Sequence, residues 1–258
     1  MAKPFSAASH ASAKGVMIVL KLLDLFSGIG GFSLGLERTG GFETVAFCEI
    51  EDYPRKVLSK NWPEVPIYGD IRELTADTLQ ADGIGIDAIC GGFPCQDIST
   101  AGEGAGIEGE RSGLWSEYAR LIGELRPQVV FVENVAALLG RGLDKVLGDL
   151  ASLGYDAEWH CIPASACGAH HHRDRLWIVA YPNGAQRQRS SLSIRIHEEH
   201  ANIISTSWWQ TEPDVGRVAN GIPSQSHRLK ALGNAVVPPL VAEIGRLVME
   251  FDREIING

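Results

Sequence analysis

From residue 17 to about residue 180, short apolar runs alternate with stretches in which apolar side chains recur at helical spacing. Leu20–Phe26, Glu43–Cys48, Pro66–Gly69, Asp87–Cys90, Val129–Val132, Asp156–Ile162 and Leu176–Ala180 have the length and composition of strands. Between them, Phe32–Arg38, Tyr53–Asn61, Leu114–Leu125 and Leu143–Leu153 carry a helical stripe. This rhythm predicts an α/β fold, a Rossmann-like, doubly wound, mostly parallel sheet with helices on both faces. Ligands of such sheets sit beyond the carboxyl ends of the strands. The rhythm breaks after Tyr181. Residues 182–226 are polar and irregular, with Trp208-Trp209 in their middle, and helical spacing resumes at Val236–Phe251. The expected division is a tail at 1–16, an α/β domain at 17–181, a small irregular insert at 182–226, and a segment at 227–258 that returns to the main domain.

Composition narrows the class. With 258 residues, 45% of them hydrophobic, the chain can bury one well-formed domain. No apolar run approaches the roughly 20 residues that cross a bilayer, and the small, polar opening lacks the apolar centre of a secretion signal. A cytoplasmic location is expected. The five cysteines, Cys48, Cys90, Cys95, Cys161 and Cys167, form no CxxC pair, so neither a disulfide framework nor a structural metal is expected. Cys48, Cys90 and Cys161 lie in strand-like runs and read as small buried hydrophobes. His170-His171-His172 cannot readily converge on one ion, so no metal site is assigned there.

The net charge of −9 is unfavourable for a nucleic-acid binder, but binding depends on the local field. Basic residues gather in the C-terminal third. Arg173, Arg175, Arg187, Arg189 and Arg195 face only Asp174 between His171 and Ile196, and Arg217, Arg228 and Lys230 have no acid near them from Val215 to Val241.

Two groups of residues carry chemistry. The first is a strand, glycine turn and helix at Leu22–Phe32, where Gly28, Gly30 and Gly31 allow close backbone approach. The second strand ends in Glu49, placed to accept ribose hydroxyls. The third ends in Asp70-Ile71, placed to meet adenine. Both a dinucleotide and S-adenosylmethionine have an adenosine half. Asp24 at the end of the first strand disfavours pyrophosphate and suits a sulfonium and an α-amino group. The other group begins where the fourth strand runs into Gly91-Gly92-Phe93-Pro94-Cys95. Pro94 stiffens the backbone there and directs the thiol toward the cleft. Glu133-Asn134-Val135 ends the next strand, and Arg173-Asp174-Arg175 begins a later one.

These strings resemble the C5 cytosine-specific DNA methyltransferases. Asp24–Gly31 is similar to their first motif, Phe47–Glu49 to the acidic second and Gly69–Ile71 to the third. Gly92–Gln96 resembles the Pro-Cys-Gln nucleophile motif, Glu133–Val135 the Glu-Asn-Val motif, and Arg173–Arg175 the Arg-x-Arg motif. Gly233–Pro238 resembles the closing motif. The resemblance implies a class I S-adenosylmethionine-dependent methyltransferase fold and transfer of a methyl group to C5 of a flipped-out cytosine. Cys95 would be the nucleophile, with Glu133, Arg173 and Arg175 at the base. Asn134 is read as a scaffold for the loop. The cofactor site would be lined by Asp24, Phe26, Gly28, Gly30, Gly31, Glu49, Ile50, Asp70, Ile71, Pro94, Leu114, Asn234 and Val236. Thr100–Ser112, rich in glycine, would be a closing lid. Gln96, Ser99, Arg187, Arg189 and Arg195 are the expected DNA contacts, to bases or to phosphates.

The implied partner is double-stranded DNA, bound by a monomer, and a cognate restriction endonuclease of the same system is the further partner the resemblance raises. His171 stands where many members have Gln, and Gly216–Pro223 replaces the usual segment before the closing motif. The recognition region proper, between Tyr181 and about Val215 and roughly 35 residues long, is short for the family. An RNA substrate and a non-enzymatic DNA-binding role therefore stay open as alternatives.

Overall fold

The computed structural model describes residues 19–94, 114–169, 173–184 and 225–257. Seven strands form one sheet in the order β3-β2-β1-β4-β5-β7-β6. They are β1 (Leu20–Leu25), β2 (Phe42–Cys48), β3 (Ile67–Tyr68), β4 (Ala88–Gly91), β5 (Val129–Val135), β6 (Tyr155–Pro163) and β7 (Asp174–Pro182). The first five run parallel, and β7 is antiparallel to both β5 and β6. The helices among the described residues are α1 (Gly31–Glu37), α2 (Asp52–Asn61), α3 (Ala76–Ala81), α4 (Trp115–Leu125), α5 (Leu143–Ser152), α6 (Gln225–Asn234) and α7 (Pro238–Asn257).

Strand side chains alternate between faces, and the two buried clusters divide accordingly. Leu23 and Leu25 of β1, Ile89 of β4, Val130 and Val132 of β5, and Leu176 and Ile178 of β7 pack against Tyr118, Leu121 and Ile122 of α4 and Val146 and Leu150 of α5. The intervening residues Leu22, Ala88, Phe131, Trp177 and Val179 pack against Phe32 and Leu36 of α1 and Leu240, Val241, Ile244 and Val248 of α7. Both faces are thus covered, which is why these strands read as continuous apolar runs.

The expected strands are all present, with shifted ends. β5 continues through Glu133 and Asn134 to Val135, because those residues pair with Trp177, Leu176 and Arg175 of β7. Two helices have no counterpart in the sequence reading. α3 is only six residues long and is started by Thr75, whose hydroxyl accepts from Thr78 N–H at 3.2 Å. α6 has little apolar character, so no stripe announces it.

Two further expectations need correction. Cys161 is exposed rather than buried, because β6 is the edge strand and Cys161 lies on its outward side. Lys230–Glu250 is long and apolar enough to cross a bilayer, although no such stretch was expected. Its apolar residues from Leu240 onward are the face packed on α1, so that length and composition belong to a core helix.

Candidate active site

The glycine turn after β1 is built from left-handed backbone. Phe26, Gly28 and Gly30 have φ of 52°, 53° and 83°. A Cβ built at Gly28 would meet nothing within 4 Å, so backbone conformation calls for glycine there and the space above it is open. Phe26 takes the same region with a side chain, and its ring stacks on Tyr118 at 6.4 Å. The Glu49 carboxylate ties the turn to the end of β2. It accepts Gly28 N–H at 2.7 Å through Oε2 and Glu51 N–H at 2.8 Å through Oε1. Ile50 follows it with 63% of its surface exposed, an unusual state for a large apolar side chain at a strand end.

Asp24 is turned inward. It is 1% exposed, and its Oδ2 accepts the Ser33 hydroxyl at 2.7 Å and the Ser33 N–H at 3.3 Å. Oδ1 is buried with no hydrogen-bond partner. Burial pushes this carboxyl up to about 7, against the lowering effect of the Ser33 hydrogen bonds. The sequence reading pairs Asp24 with a sulfonium and an α-amino group; the structure shows its carboxylate beneath the turn, held there by Ser33 on α1. Asp70 is gripped by Arg72, with three side-chain contacts of 2.5 to 3.0 Å that hold its carboxyl below the ordinary range. The Arg72 side chain is 63% exposed. Such a pair is worth about 0–1 kcal/mol, so the Asp70 oxygens remain available to a ligand. Ile71 is buried in the core and its carbonyl accepts from Arg120 at 2.9 Å, so its side chain supports the site from below.

The second group meets at the ends of β4 and β5 and the start of β7. The antiparallel setting of β7 brings its first residues to the rim where the parallel strands end. There Arg175 Nε lies 2.8 Å from Glu133 Oε1. Glu133 is buried, and desolvation raises its carboxyl while Arg175 and then Arg173 pull it back. Gly92 presses against this carboxylate, and a Cβ on it would lie 2.8 Å from Oε2. Asn134 donates from its side-chain amide to Phe93 O at 3.1 Å and accepts from Val135 N–H at 2.8 Å. The backbone leading toward position 95 is therefore fastened to the strand that carries Glu133. Arg173 donates to Gly233 O at 2.6 Å, which attaches the end of α6 to this rim.

Cys95, Gln96, Ser99, the loop Thr100–Ser112, His170–His172, Arg187, Arg189 and Arg195 lie outside the described residues. Of the remaining expected positions, Pro94 and Leu114 are half-buried at the rim, and Asn234 is exposed at the end of α6. Val236 packs on Gly31, where a Cβ would come within 2.9 Å of its Cγ2. Sequence reasoning missed three contributors. Ser33 is the partner of Asp24. Lys230 pairs with Glu51 at 2.6 Å, and His227 lies 5.8 Å from the Tyr53 ring. The last two join α6 to α2 across nearly 180 positions, and no local signal in the sequence links them.

Chemically, one end of the rim offers an open glycine turn, an acid held by backbone amides and an exposed apolar platform. That set fits the ribose and adenine of S-adenosylmethionine, and the unpartnered Oδ1 of Asp24 is a buried acceptor beneath them. The other end offers a buried, guanidinium-paired carboxyl suited to a polar heterocycle.

Comparisons with known proteins add to this geometry. The family model described as C-5 cytosine-specific DNA methylase matches residues 20–221. Type II methyltransferase M.CviJI of Paramecium bursaria Chlorella virus IL3A is 32% identical over 220 residues, covering 84% of this chain and 56% of that protein. Type II methyltransferase M.HhaI of Haemophilus parahaemolyticus is 34% identical over 168 residues, covering 64% of this chain and 50% of that protein. The crystal structure of S. pombe Dnmt2 methyltransferase shares the fold, with a TM-score of 0.57 at 19% identity over 77% of this chain and 58% of that one. The chain spans about half the length of the curated relatives it matches.

Proposed function

Because the chain belongs to the C-5 cytosine-specific DNA methylase family, we propose that it is a DNA (cytosine-5)-methyltransferase using S-adenosylmethionine, with Cys95 as its nucleophile. The observation that carries this reading is the fastening of Gly92 and Phe93 to Glu133 and Asn134. It brings the backbone before Cys95 to a buried, arginine-paired carboxyl.

Cytosine C5 is a weak nucleophile, and covalent addition at C6 overcomes this. The Cys95 thiolate adds to C6 and leaves C5 enamine-like. Glu133 holds ring N3 and the exocyclic amine, and its raised affinity for protons favours protonation there as negative charge builds. Arg175 fixes the Glu133 carboxylate and faces the O2 side of the ring. Arg173 supports the same edge through its hold on Gly233. Bound S-adenosylmethionine supplies an electrophilic methyl group on a sulfonium. With the methyl on C5 and S-adenosylhomocysteine as the leaving group, the C5 proton would pass to water and Cys95 would depart as a thiolate, restoring the aromatic ring. Glu49 accepts the ribose hydroxyls, Ile50 stacks on adenine and Asp70 takes its amino group. Phe26, Gly28, Gly30, Gly31, Pro94, Leu114, Asn234 and Val236 complete this cradle, and Asp24 supports it from beneath.

The remaining assignments belong to the same proposal. Residues 17–181 form the catalytic unit, residues 182–226 read DNA, and residues 227–258 return to the catalytic unit. Gln96, Ser99, Arg187, Arg189 and Arg195 touch the duplex, and Thr100–Ser112 closes over the flipped base. The names of the relatives, type II methyltransferases, favour a role beside a restriction endonuclease.

The test incubates the chain with duplex DNA, tRNA and a methyl-labelled donor. The expected result is 5-methylcytosine in DNA, lost in Cys95→Ala. A covalent complex trapped on 5-fluorocytosine DNA is expected for the native chain alone. Label in tRNA only, or retained activity without the Cys95 thiol, overturns the proposal.

A further inference from the structure

The glycine turn rests on a side chain that neither the motifs nor the mechanism employ. Trp62, the residue that closes α2, lies beneath Gly30. A Cβ built on Gly30 would come within 2.6 Å of Trp62 Cζ3 and 2.7 Å of Cη2, so the indole edge is already in van der Waals contact with the turn. Leu58 Cδ2, at 3.1 Å from the same point, fills the space beside it.

The indole is oriented from its other end. Its N–H points at the Glu37 carboxylate, with Nε1 3.0 Å from Oε2 and 3.2 Å from Oε1, and Glu37 Oε1 also accepts Thr44 N–H of β2 at 3.2 Å. Phe47 of β2 meets the ring edge-on, with centroids 5.3 Å apart at 64°. Gly30 precedes α1 and Glu37 is its last residue, so the indole touches the backbone before this helix and the side chain that ends it. Trp62 N–H donates to Leu58 O at 2.8 Å, which fixes the main chain at the same point. The ring is thus held by an ion, an aromatic face and its own backbone, and its free edge bears on the residue two after Gly28.

We propose that Trp62 is a positioning residue for the cofactor turn. Held by Glu37, it sets the height of Gly30 and thereby the geometry in which Gly28 meets Glu49. This rests on the proposed use of S-adenosylmethionine at that turn. It touches no reacting atom, so it governs how tightly the nucleoside binds and leaves the chemical step alone. Shifting a preorganised turn costs affinity through the ordering needed on binding.

The test compares native protein with Trp62→Ala, Trp62→Phe and Glu37→Gln. It measures S-adenosylhomocysteine binding by calorimetry, KM for the methyl donor, kcat at saturating donor, and thermal melting. Trp62→Ala is expected to raise the Kd and the KM by about tenfold, with kcat within about twofold of native. Trp62→Phe keeps a ring but loses the N–H anchor, so a Kd raised about threefold is expected even if the alanine variant fails to fold. Glu37→Gln keeps an acceptor oxygen and should bind within about twofold of native. A native Kd in Trp62→Phe, or a fall in kcat as large as the rise in KM in every variant that folds, overturns the proposal. A native chain that fails to bind S-adenosylhomocysteine at all overturns the cofactor assignment, and this inference with it. Native binding that is indifferent to Trp62 overturns the inference alone.

Discussion

Arg175 Nε sits 2.8 Å from Glu133 Oε1, so a buried carboxyl that would otherwise hold its proton strongly is kept closer to ionisation, by this guanidinium first and by Arg173 after it. Replacing Arg175 by Gln removes the largest lowering influence on Glu133 and leaves desolvation in command. The Glu133 carboxyl is expected to titrate at higher pH in Arg175→Gln than in the native chain. Carbon-13 NMR of labelled glutamate checks this, and an unchanged or lower midpoint would sink the assignment. Methyl transfer should slow by about a hundredfold or more, as expected when a charge-stabilising group at a reacting base is lost.

Gly92→Ala tests the packing of the turn on Glu133. The added methyl would meet Oε2 at 2.8 Å and the Glu133 carbonyl at 3.4 Å, so the carboxylate has to move. A stability loss of about 1–3 kcal/mol is expected from overpacking. Turnover should fall further than stability does, because the displaced carboxylate loses its registry with Arg175. Urea denaturation and single-turnover methylation separate the two effects, and unchanged turnover would refute the contact.

Asn134→Ala leaves the buried Phe93 carbonyl without its side-chain donor. The cost is expected at about 1–3 kcal/mol, the range for orphaning a buried polar group. Because Phe93 lies two residues before Cys95, the variant should also lose its ability to trap 5-fluorocytosine DNA while still binding S-adenosylhomocysteine. If cofactor binding and trapping decline in parallel, Asn134 is not a local fastening for that loop.

Asp24 gives a pH prediction with a definite sign. Its carboxyl rises on folding from an ordinary 3.8 to about 7, chiefly through burial. The folded state therefore holds the proton more tightly than the unfolded state. The associated stabilisation is complete below about pH 4 and is lost as pH rises through about 7. Its upper limit is about 4 kcal/mol, at roughly 1.4 kcal/mol per pH unit. Asp24→Asn should flatten that part of the stability profile and melt higher than the native chain at pH 8. Equal pH slopes for the two proteins would refute the buried, ionisable Asp24.

Thiol labelling checks the burial pattern. Cys161 is exposed, whereas Cys48, Cys90 and Cys167 are buried. Cys161 should react with a thiol reagent in the native protein, and the three buried thiols only after denaturation. In Cys161→Ser, any remaining fast reaction is expected at Cys95, as the proposed nucleophile requires. Rapid modification of Cys90 would contradict the packing of β4.

Much of this architecture can be read from residue patterns, for reasons the structure makes plain. The two-sided burial of β1, β4 and β5 produces the unbroken runs that mark them as central strands, and the glycine turn is recognisable because its backbone needs residues without side chains. The motifs at Glu49, Glu133 and Arg175 were legible as strings. Their mutual placement depended on the reversal of β7, which a pattern of apolar residues does not encode. Cys161 was misplaced because strand-like composition cannot tell an edge from a centre. Ser33 beneath Asp24, Lys230 on Glu51 and Trp62 under Gly30 were invisible because each is an ordinary residue made important by a distant partner. The inward turn of Asp24 belongs with them, since a carboxylate at a strand end looks the same in sequence whether it faces ligand or core.

Phe26 carries a last consequence. An aromatic residue held at φ 52° is disfavoured by about 1–2 kcal/mol relative to a relaxed backbone. Glycine at that position would relieve the distortion, yet it would erase the ring that rests on Tyr118 and packs against the core. Removing a large packed side chain costs up to about 3–5 kcal/mol, more than the strain released. The bent backbone at position 26 therefore persists because the ring it carries outweighs the bend.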